Sequence, residues 1–160
     1  MEIYVDSLDF DTFTIIDKNG NRENLNINDE LMIDENNINE EFMKQSGKYA
    51  YWASLLEIVR RYYEAEQRKL ETIGSQLNLT VRQAYKQKGE KPTKDMIEAD
   101  VFINQNYQNQ LNIVEDWSYK TKQLNYIVKA FEQRVNALTH LGAEQRKTNK
   151  NGGITSPLQY

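Results

Sequence analysis

The chain has 160 residues, of which 39% are apolar and 28% are charged, with a net charge of −4 and no cysteine. This length predicts one domain with an appended arm, and the lack of cysteine excludes disulfides, thiolate metal sites and a cysteine nucleophile. No segment approaches the roughly 20 apolar residues of a membrane span, and no secretion signal is visible at the N-terminus. We therefore expect a cytoplasmic protein that makes no membrane contact.

The charge is distributed unevenly along the chain. Residues 1–47 hold three Lys/Arg against twelve Asp/Glu, which gives −9, whereas residues 48–160 hold seventeen against twelve, which gives +5. Such asymmetry is typical of a chain in which one part contacts a polyanion. The simpler alternative is a solvated acidic arm beside an ordinary helical surface, and charge alone leaves both interpretations open.

The first 37 residues are rich in Asn and Asp and form an acidic arm. Asn19 and Gly20 lie between two candidate strands in the segment FTIIDKNGNRENLNI, and this dipeptide suits the positive φ angles of a type I′ turn. The arm is therefore predicted to contain a small β-hairpin. A segment this short buries little surface by itself. The arm must therefore dock on the helices or on a partner, or stay mobile.

A helical pattern begins near Ile38. A short helix is predicted to stop near Gly47, and a long helix is predicted to start near Lys48 and to end at Gly89 and Pro92. Apolar residues in the long helix step by threes and fours along one stripe, which skips one turn at Glu66. That stripe consists of Trp52, Leu56, Val59, Tyr63, Leu70, Ile73, Leu77 and Val81.

Two further helices are predicted after this break. Thr93 is a good N-cap for a short helix through about Ile103, and a last helix runs from about Tyr107 to Arg146. Its stripe has a mean step of 3.5 residues, which is the coiled-coil period. The members of that stripe are Tyr107, Leu111, Val114, Trp117, Thr121, Leu124, Val128, Phe131, Val135, Leu138 and Leu141.

These elements predict a mainly α fold: a long, antiparallel, coiled-coil-like helical hairpin with a small N-terminal β-hairpin arm. The predicted organisation is an arm over residues 1–37, a helical domain over residues 38–147 and a flexible tail over residues 148–160. A hairpin of two helices leaves part of each stripe uncovered, so we expect the protein to be oligomeric.

The sequence offers little catalytic chemistry. His140 is the single histidine, and without cysteine it cannot form a familiar zinc site. Phosphate-binding glycine loops and a nucleophile elbow are absent. We therefore expect no enzyme activity, no metal and no cofactor. A small hydrolase that uses some of the many carboxylates is the remaining catalytic alternative, although paired catalytic carboxylates need shaped burial.

A basic stretch runs from Arg60 to Lys94, with nine Lys/Arg against four Glu. Multiples of seven separate Arg61, Arg68 and Arg82, so these residues share one face of the long helix. Lys86 follows Arg82 by one turn, and Lys88 comes shortly after. The candidate DNA-binding residues are Arg61, Arg68, Arg82, Lys86 and Lys88.

Tyr62, Tyr63 and Tyr85 lie near these cations in the sequence. Cations along a groove, with rings that stack on bases, are typical of single-strand binding without sequence readout. In the structural alternative, Tyr63 belongs to the apolar stripe, and Glu64 pairs with Arg68 at i,i+4.

Three segments follow one another in a recognisable order: KYAYWASLLEIVRRYYEAEQRKLE, VRQAYKQKGEKPTKDMIEADVFINQNY and LNYIVKAFEQRVNALTHLGAEQRK. They contain aromatic residues where the long helix opens, R-x-x-Y near its end, K-P-T before the short helix, and F-x-x-R-x-x-x-L late in the last helix. This layout resembles the UvsY family of tailed-phage recombination mediators over about residues 38–147.

The resemblance implies a non-enzymatic helper of DNA recombination and repair, acting in the cytoplasm of the bacterial host of a bacteriophage. Family members bind single-stranded DNA, contact the single-strand-binding protein and the recombinase, form ring-like homo-oligomers, and load recombinase onto coated strands. Their DNA-contacting region corresponds to Arg82 and, more loosely, to Lys86 and Lys88. Thr80 departs from the family, since a basic residue is expected there, and residues 1–37 have no family counterpart. The alternative is a phage structural or assembly factor that acts only through coiled-coil protein contacts.

Overall fold

The computed structural model describes residues 2–5 and 12–151. Three strands come first: β1 (Glu2–Val5), β2 (Thr12–Ile16) and β3 (Arg22–Asn26). The helices are α1 (Ile27–Leu31), α2 (Ile38–Gln87), α3 (Lys94–Phe102) and α4 (Gln105–Asn151), with a 3₁₀ turn over Glu35–Asn37. The predicted mainly helical fold with an N-terminal β-hairpin is thus confirmed. Of the predicted tail, residues 148–151 belong to α4, and the rest lies outside the described residues.

The predicted hairpin consists of β2 and β3, which pair antiparallel from Thr12↔Asn26 to Ile16↔Arg22. A strand that the sequence did not predict, β1, pairs antiparallel with β2, so the sheet order is β1-β2-β3. Ile3, Phe13 and Ile15 are buried. Phe13 and Ile15 are two positions apart on β2, and Ile3 is opposite Ile15, so one face of the sheet is apolar.

The turn between β2 and β3 differs from the predicted type I′. Gly20 has a φ of 82°, but Asn19 does not have the positive φ that a type I′ turn requires. The Gly20 N–H donates to the Asp17 carbonyl at 3.1 Å, and the Asp17 carboxylate accepts from the backbone N–H groups of Asn19 and Asn21 at 2.7 and 2.9 Å. The reason for the difference is this aspartate, whose side chain organises a longer loop. Hydrogen bonds from the side chain and backbone of Asn21 lower the pKa of Asp17.

The expected break near Gly47 is wrong, because α2 is one helix from Ile38 to Gln87. Glycine within a helix costs about 1 kcal/mol relative to alanine. Ile38, Gln45 and Trp52, on either side of Gly47, are all buried. Burial of side chains from both segments stabilises the continuous helix more than one glycine destabilises it.

The predicted end of α2 is confirmed. Gly89 has a φ of 74°, its N–H donates to the Lys86 carbonyl at 3.1 Å, and the Glu90 N–H donates to the Tyr85 carbonyl at 3.0 Å. These two bonds define a Schellman motif. The Thr93 hydroxyl then accepts from the Met96 N–H at 3.3 Å and caps α3, as the sequence predicts.

The chain divides into two compact units. The first contains residues 1–55 and 124–160, and Trp52 lies at its centre. The Trp52 ring meets Phe13 edge-on at 6.0 Å and stacks with Phe131 at 6.1 Å. Within this unit α2 and α4 run antiparallel, since Gln45 donates to the Phe131 carbonyl whereas the later Gln145 donates to the earlier Glu35 carbonyl.

The apolar stripe of the last helix included Val135, but Val135 is 42% exposed. Its neighbour Arg134 is 4% exposed and is buried instead. Its guanidinium forms an ion pair with Glu41 and donates to the Gln45 side chain at 2.6 Å. It also donates to the carbonyls of Leu31 and Met32 at 3.0 and 2.8 Å. The assignment of Val135 to the core was wrong, because the neighbouring arginine is buried in its place and donates to four acceptors.

The second unit contains residues 56–123. The Gln110 side chain donates to the Glu66 carbonyl at 3.1 Å and to its carboxylate at 2.7 Å. This contact explains why the stripe skips one turn at Glu66. Hydrogen bonds from Lys69 and Gln110 lower the pKa of the Glu66 carboxyl. Further along, a Cβ on Gly74 would lie 3.3 Å from the Tyr107 ring, so glycine permits this close approach.

Two glycine substitutions in α2 and its cap have opposite expected effects. Gly47→Ala should raise the free energy of unfolding by about 0.5–1 kcal/mol, because the position is helical and a Cβ there meets no atom within 4 Å. Gly89→Ala should lower it by about 1 kcal/mol or more, because L side chains disfavour a φ of 74°. Urea unfolding followed by circular dichroism measures both. Equal effects of the same sign would contradict this account of the helix end.

Candidate nucleic-acid interface

All five predicted DNA-binding residues lie on α2 or directly after it, and all are exposed. At 100° per residue, one face of the helix holds four of them within about 60° of arc. These are Arg61, Arg68, Arg82 and Lys86. Lys88 follows the last helical residue, Gln87, and belongs to the Schellman turn. The structure therefore brings four of the five residues onto a common face and places the fifth at its end.

The cations of this stretch divide by whether a carboxylate neutralises them. Arg60 pairs with Glu57, Lys69 pairs with Glu66 and Lys94 pairs with Glu98. In contrast, no carboxylate of the described residues forms an ion pair with the five candidates or with Lys91. The i,i+4 pair of Glu64 with Arg68, which the structural alternative assumed, is not formed. The predicted residues are thus available to an external anion.

Arg61, Arg68 and Tyr62 form what we call the first basic cluster. They line a shallow cleft of about 440 Å³ together with Ile58, Glu64 and Ala65. Tyr62 is 39% exposed, and one face of its ring stacks on Trp117 at 5.1 Å with an interplanar angle of 14°. The cluster thus combines two guanidinium groups with a partly exposed ring, the two groups that a phosphate and a base would contact.

Arg82 and Lys86 form the second basic cluster. They line another cleft of about 440 Å³ with Gly89, Glu90, Lys91 and Pro92. The Arg82 Nε donates to the Asn78 side chain at 2.8 Å, which orients the guanidinium. Lys91 lies in the basic stretch but is missing from the predicted set. It follows the end of α2, so the helical spacing that selected the arginines does not include it. Thr80, where the family resemblance expects a cation, donates its hydroxyl to the Gln76 carbonyl at 3.0 Å.

The three tyrosines differ in their availability. The Tyr63 hydroxyl accepts from Gln67 at 2.8 Å, and the Tyr85 hydroxyl donates to Asp100 at 2.9 Å. The Asp100 hydrogen bond raises the pKa of Tyr85. Both rings are half-buried, so Tyr62 is the most exposed of the three.

Residues suited to other chemistry are dispersed. Within residues 2–5 and 12–151, no group of three or more His, Asp or Glu side chains is arranged to hold a metal ion. In the same ranges every helix lacks the length or the hydropathy needed to cross a bilayer. His140 is exposed on α4. Comparison of the chain with protein-family models, curated proteins and solved structures gives no match, so the resemblance to UvsY mediators rests on the residues quoted above.

Proposed function

We propose that this protein is a recombination mediator that binds single-stranded DNA and helps to load a recombinase onto strands coated by single-strand-binding protein. One observation carries the proposal. Four exposed cations share one face of α2, and none of them has a carboxylate partner among the described residues. The order of motifs that resembles the UvsY family supports the same function.

The binding that this surface supports is independent of base sequence. Each Lys or Arg that meets a phosphate releases counterions, which makes affinity fall as salt rises. Arg61, Arg68, Arg82 and Lys86 would track the phosphates, and the exposed part of Tyr62 would contact a base. No step requires a reacting group, so the role is that of a non-enzymatic helper.

Assembly of several copies into a ring would strengthen this binding. A strand that has bound one subunit meets the next at a high effective concentration, so modest surfaces add up. Large apolar side chains remain exposed in each unit and could contact other copies, the recombinase or the single-strand-binding protein. The most exposed are Met32, Met43 and Tyr126 in the first unit and Leu79, Phe102 and Ile103 in the second.

A salt titration with labelled oligo-dT tests the DNA-binding surface. Replacing Arg82, Lys86 and Lys88 together by alanine should weaken binding and lower the slope of log K against log salt by about 2, since each lost phosphate contact contributes about 0.7. Fluorescence anisotropy measures both quantities.

Light scattering of the same samples gives the subunit number, and a monomer with and without DNA would argue against the ring.

The chain offers a matched control for that triple variant. Replacing Arg60, Lys69 and Lys94 by alanine removes the same charge from the same stretch, but these three cations already pair with Glu57, Glu66 and Glu98. The control should retain most of the affinity and slope. Equal losses in the two variants would show that net charge, and not this face, governs binding. Unchanged affinity in the first variant would refute the placement of the site.

The alternative, a phage structural or assembly factor, is favoured by one observation. Met96, Phe102 and Ile103 on and just after α3 are 44%, 55% and 74% exposed, an apolar group suited to protein contacts. A protein that acts only through such contacts should not bind oligo-dT at moderate salt. The titration described above therefore separates the two functions.

A further inference from the structure

The cations on the basic face of α2 are not evenly spaced. The first basic cluster ends at Arg68 and the second begins at Arg82, and residues 70–81 contain no Lys or Arg. At 1.5 Å per residue, Arg68 and Arg82 are about 21 Å apart along the helix axis, and Arg61 and Lys86 are about 38 Å apart. The heptad position between them on the same face is Ser75, which cannot neutralise a phosphate.

This spacing is set by regular structure. Both clusters lie on the same continuous helix and within the second unit. Between them, Leu70, Ile73 and Leu77 are half-buried, and Gly74 lies against the Tyr107 ring. Since α2 is helical throughout this interval, the two clusters are held at a fixed separation.

The first cluster also has the groups that distinguish a nucleic acid from another polyanion. The partly exposed Tyr62 ring lines the same cleft as the two arginines. Stacking on a base adds to phosphate binding, whereas the Asp and Glu side chains of an acidic peptide have no flat ring to stack. The carboxylate of Glu64 in the same cleft weakens attraction for any anion that offers charge alone.

We infer that the two basic clusters are separate subsites for one strand of single-stranded DNA, with an interval that contains no cation between them. This inference rests on the proposed function and adds the geometry of the grip. A shorter strand occupies one subsite, a strand that reaches from Arg68 to Arg82, about 21 Å, contacts both, and a strand that covers about 38 Å fills both. At 3.4 Å per nucleotide these lengths correspond to about 6 and about 11 nucleotides. Linking two weak contacts in this way raises affinity steeply once the ligand spans both.

A length series tests the inference. Affinities of oligo-dT from about 3 to about 18 nucleotides should rise little below about 6 nucleotides and then increase at least about tenfold between about 6 and about 11 nucleotides. The Arg61→Ala/Arg68→Ala variant should lose this step while short strands still bind at the second cluster. The control Arg60→Ala/Lys69→Ala removes equal charge from ion-paired positions and should keep the step.

Failure of the inference and failure of the proposed function give different results. If no length of oligo-dT binds, the proposed function fails and the subsites with it. If strands bind but affinity rises smoothly with length, or the step persists in Arg61→Ala/Arg68→Ala, the two-subsite arrangement is overturned while DNA binding stands. If a poly-glutamate of equal charge displaces the strand as well as oligo-dT does, the surface serves an acidic protein and the inference is likewise overturned.

Discussion

Replacing Arg134 by alanine is expected to lower the free energy of unfolding by about 3–5 kcal/mol. The substitution removes the ion-pair partner of Glu41 and leaves that carboxylate in a site where it is only 13% exposed. The Gln45 side chain and the carbonyls of Leu31 and Met32 lose their donor as well. The loss is largest for Gln45, which is buried, because folding has removed the water that would otherwise replace a lost donor. Urea unfolding followed by circular dichroism measures the loss.

Arg146 supplies the control for this substitution. It lies on the same helix, is exposed, and donates to the Gly142 carbonyl within its own helix. Arg146→Ala should change the free energy of unfolding by no more than about 0.5 kcal/mol. A similar small change in Arg134→Ala would mean that water reaches the four acceptors and that the arginine does not hold this region together.

Trp52→Ala is expected to destabilise the first unit by about 3–5 kcal/mol. Trp52 is 1% exposed and is in ring contact with both Phe13 of the sheet and Phe131 of α4. Its truncation therefore leaves a cavity between β2, α2 and α4, and these three elements cannot all move together to fill it. Chemical denaturation gives the change, and hydrogen exchange in β2 should accelerate because the sheet loses its packing partner.

Tyr126→Ala is the matched substitution of an aromatic residue in the same unit. Tyr126 is 63% exposed, so its loss should change stability by about 0.5 kcal/mol or less. Trp52→Phe keeps a ring in the site and should fall between the two alanine variants. A loss below about 1 kcal/mol in Trp52→Ala would contradict the central place given to this residue.

Local features of this fold could be predicted from the sequence, and features that depend on distant residues could not. The glycine that ends α2 and the threonine that caps α3 act on backbone groups a few residues away, and both were predicted. Strand β1 has only four residues, and residues 6–11, which precede its partner β2, contain no Gly, Pro or Asn. Arg134 was not assigned to the core, because its ion-pair partner, Glu41, is 93 positions away in the sequence.

The same distinction applies to the candidate site. The common face of Arg61, Arg68 and Arg82 follows from helical geometry alone, so heptad spacing could predict it. The choice of ion pairs could not be predicted, because two or more carboxylates lie within four residues of cations such as Arg60, Arg61 and Arg68. Lys69 pairs with Glu66, whose carboxylate also accepts from Gln110 of α4. Such a choice depends on a residue of α4 that lies 44 positions after Glu66 in the chain.

The first unit is assembled from two separated parts of the chain, residues 1–55 and 124–160, with residues 56–123 between them. On a ribosome, Trp52 therefore emerges well before Phe131 and Arg134 exist to cover it. At about 5–20 residues per second, this delay is roughly 4–16 s. Contacts of such high sequence separation form late in folding. Nascent chains should consequently expose the apolar side of residues 1–55 to chaperones until residues 124–134 have also been made.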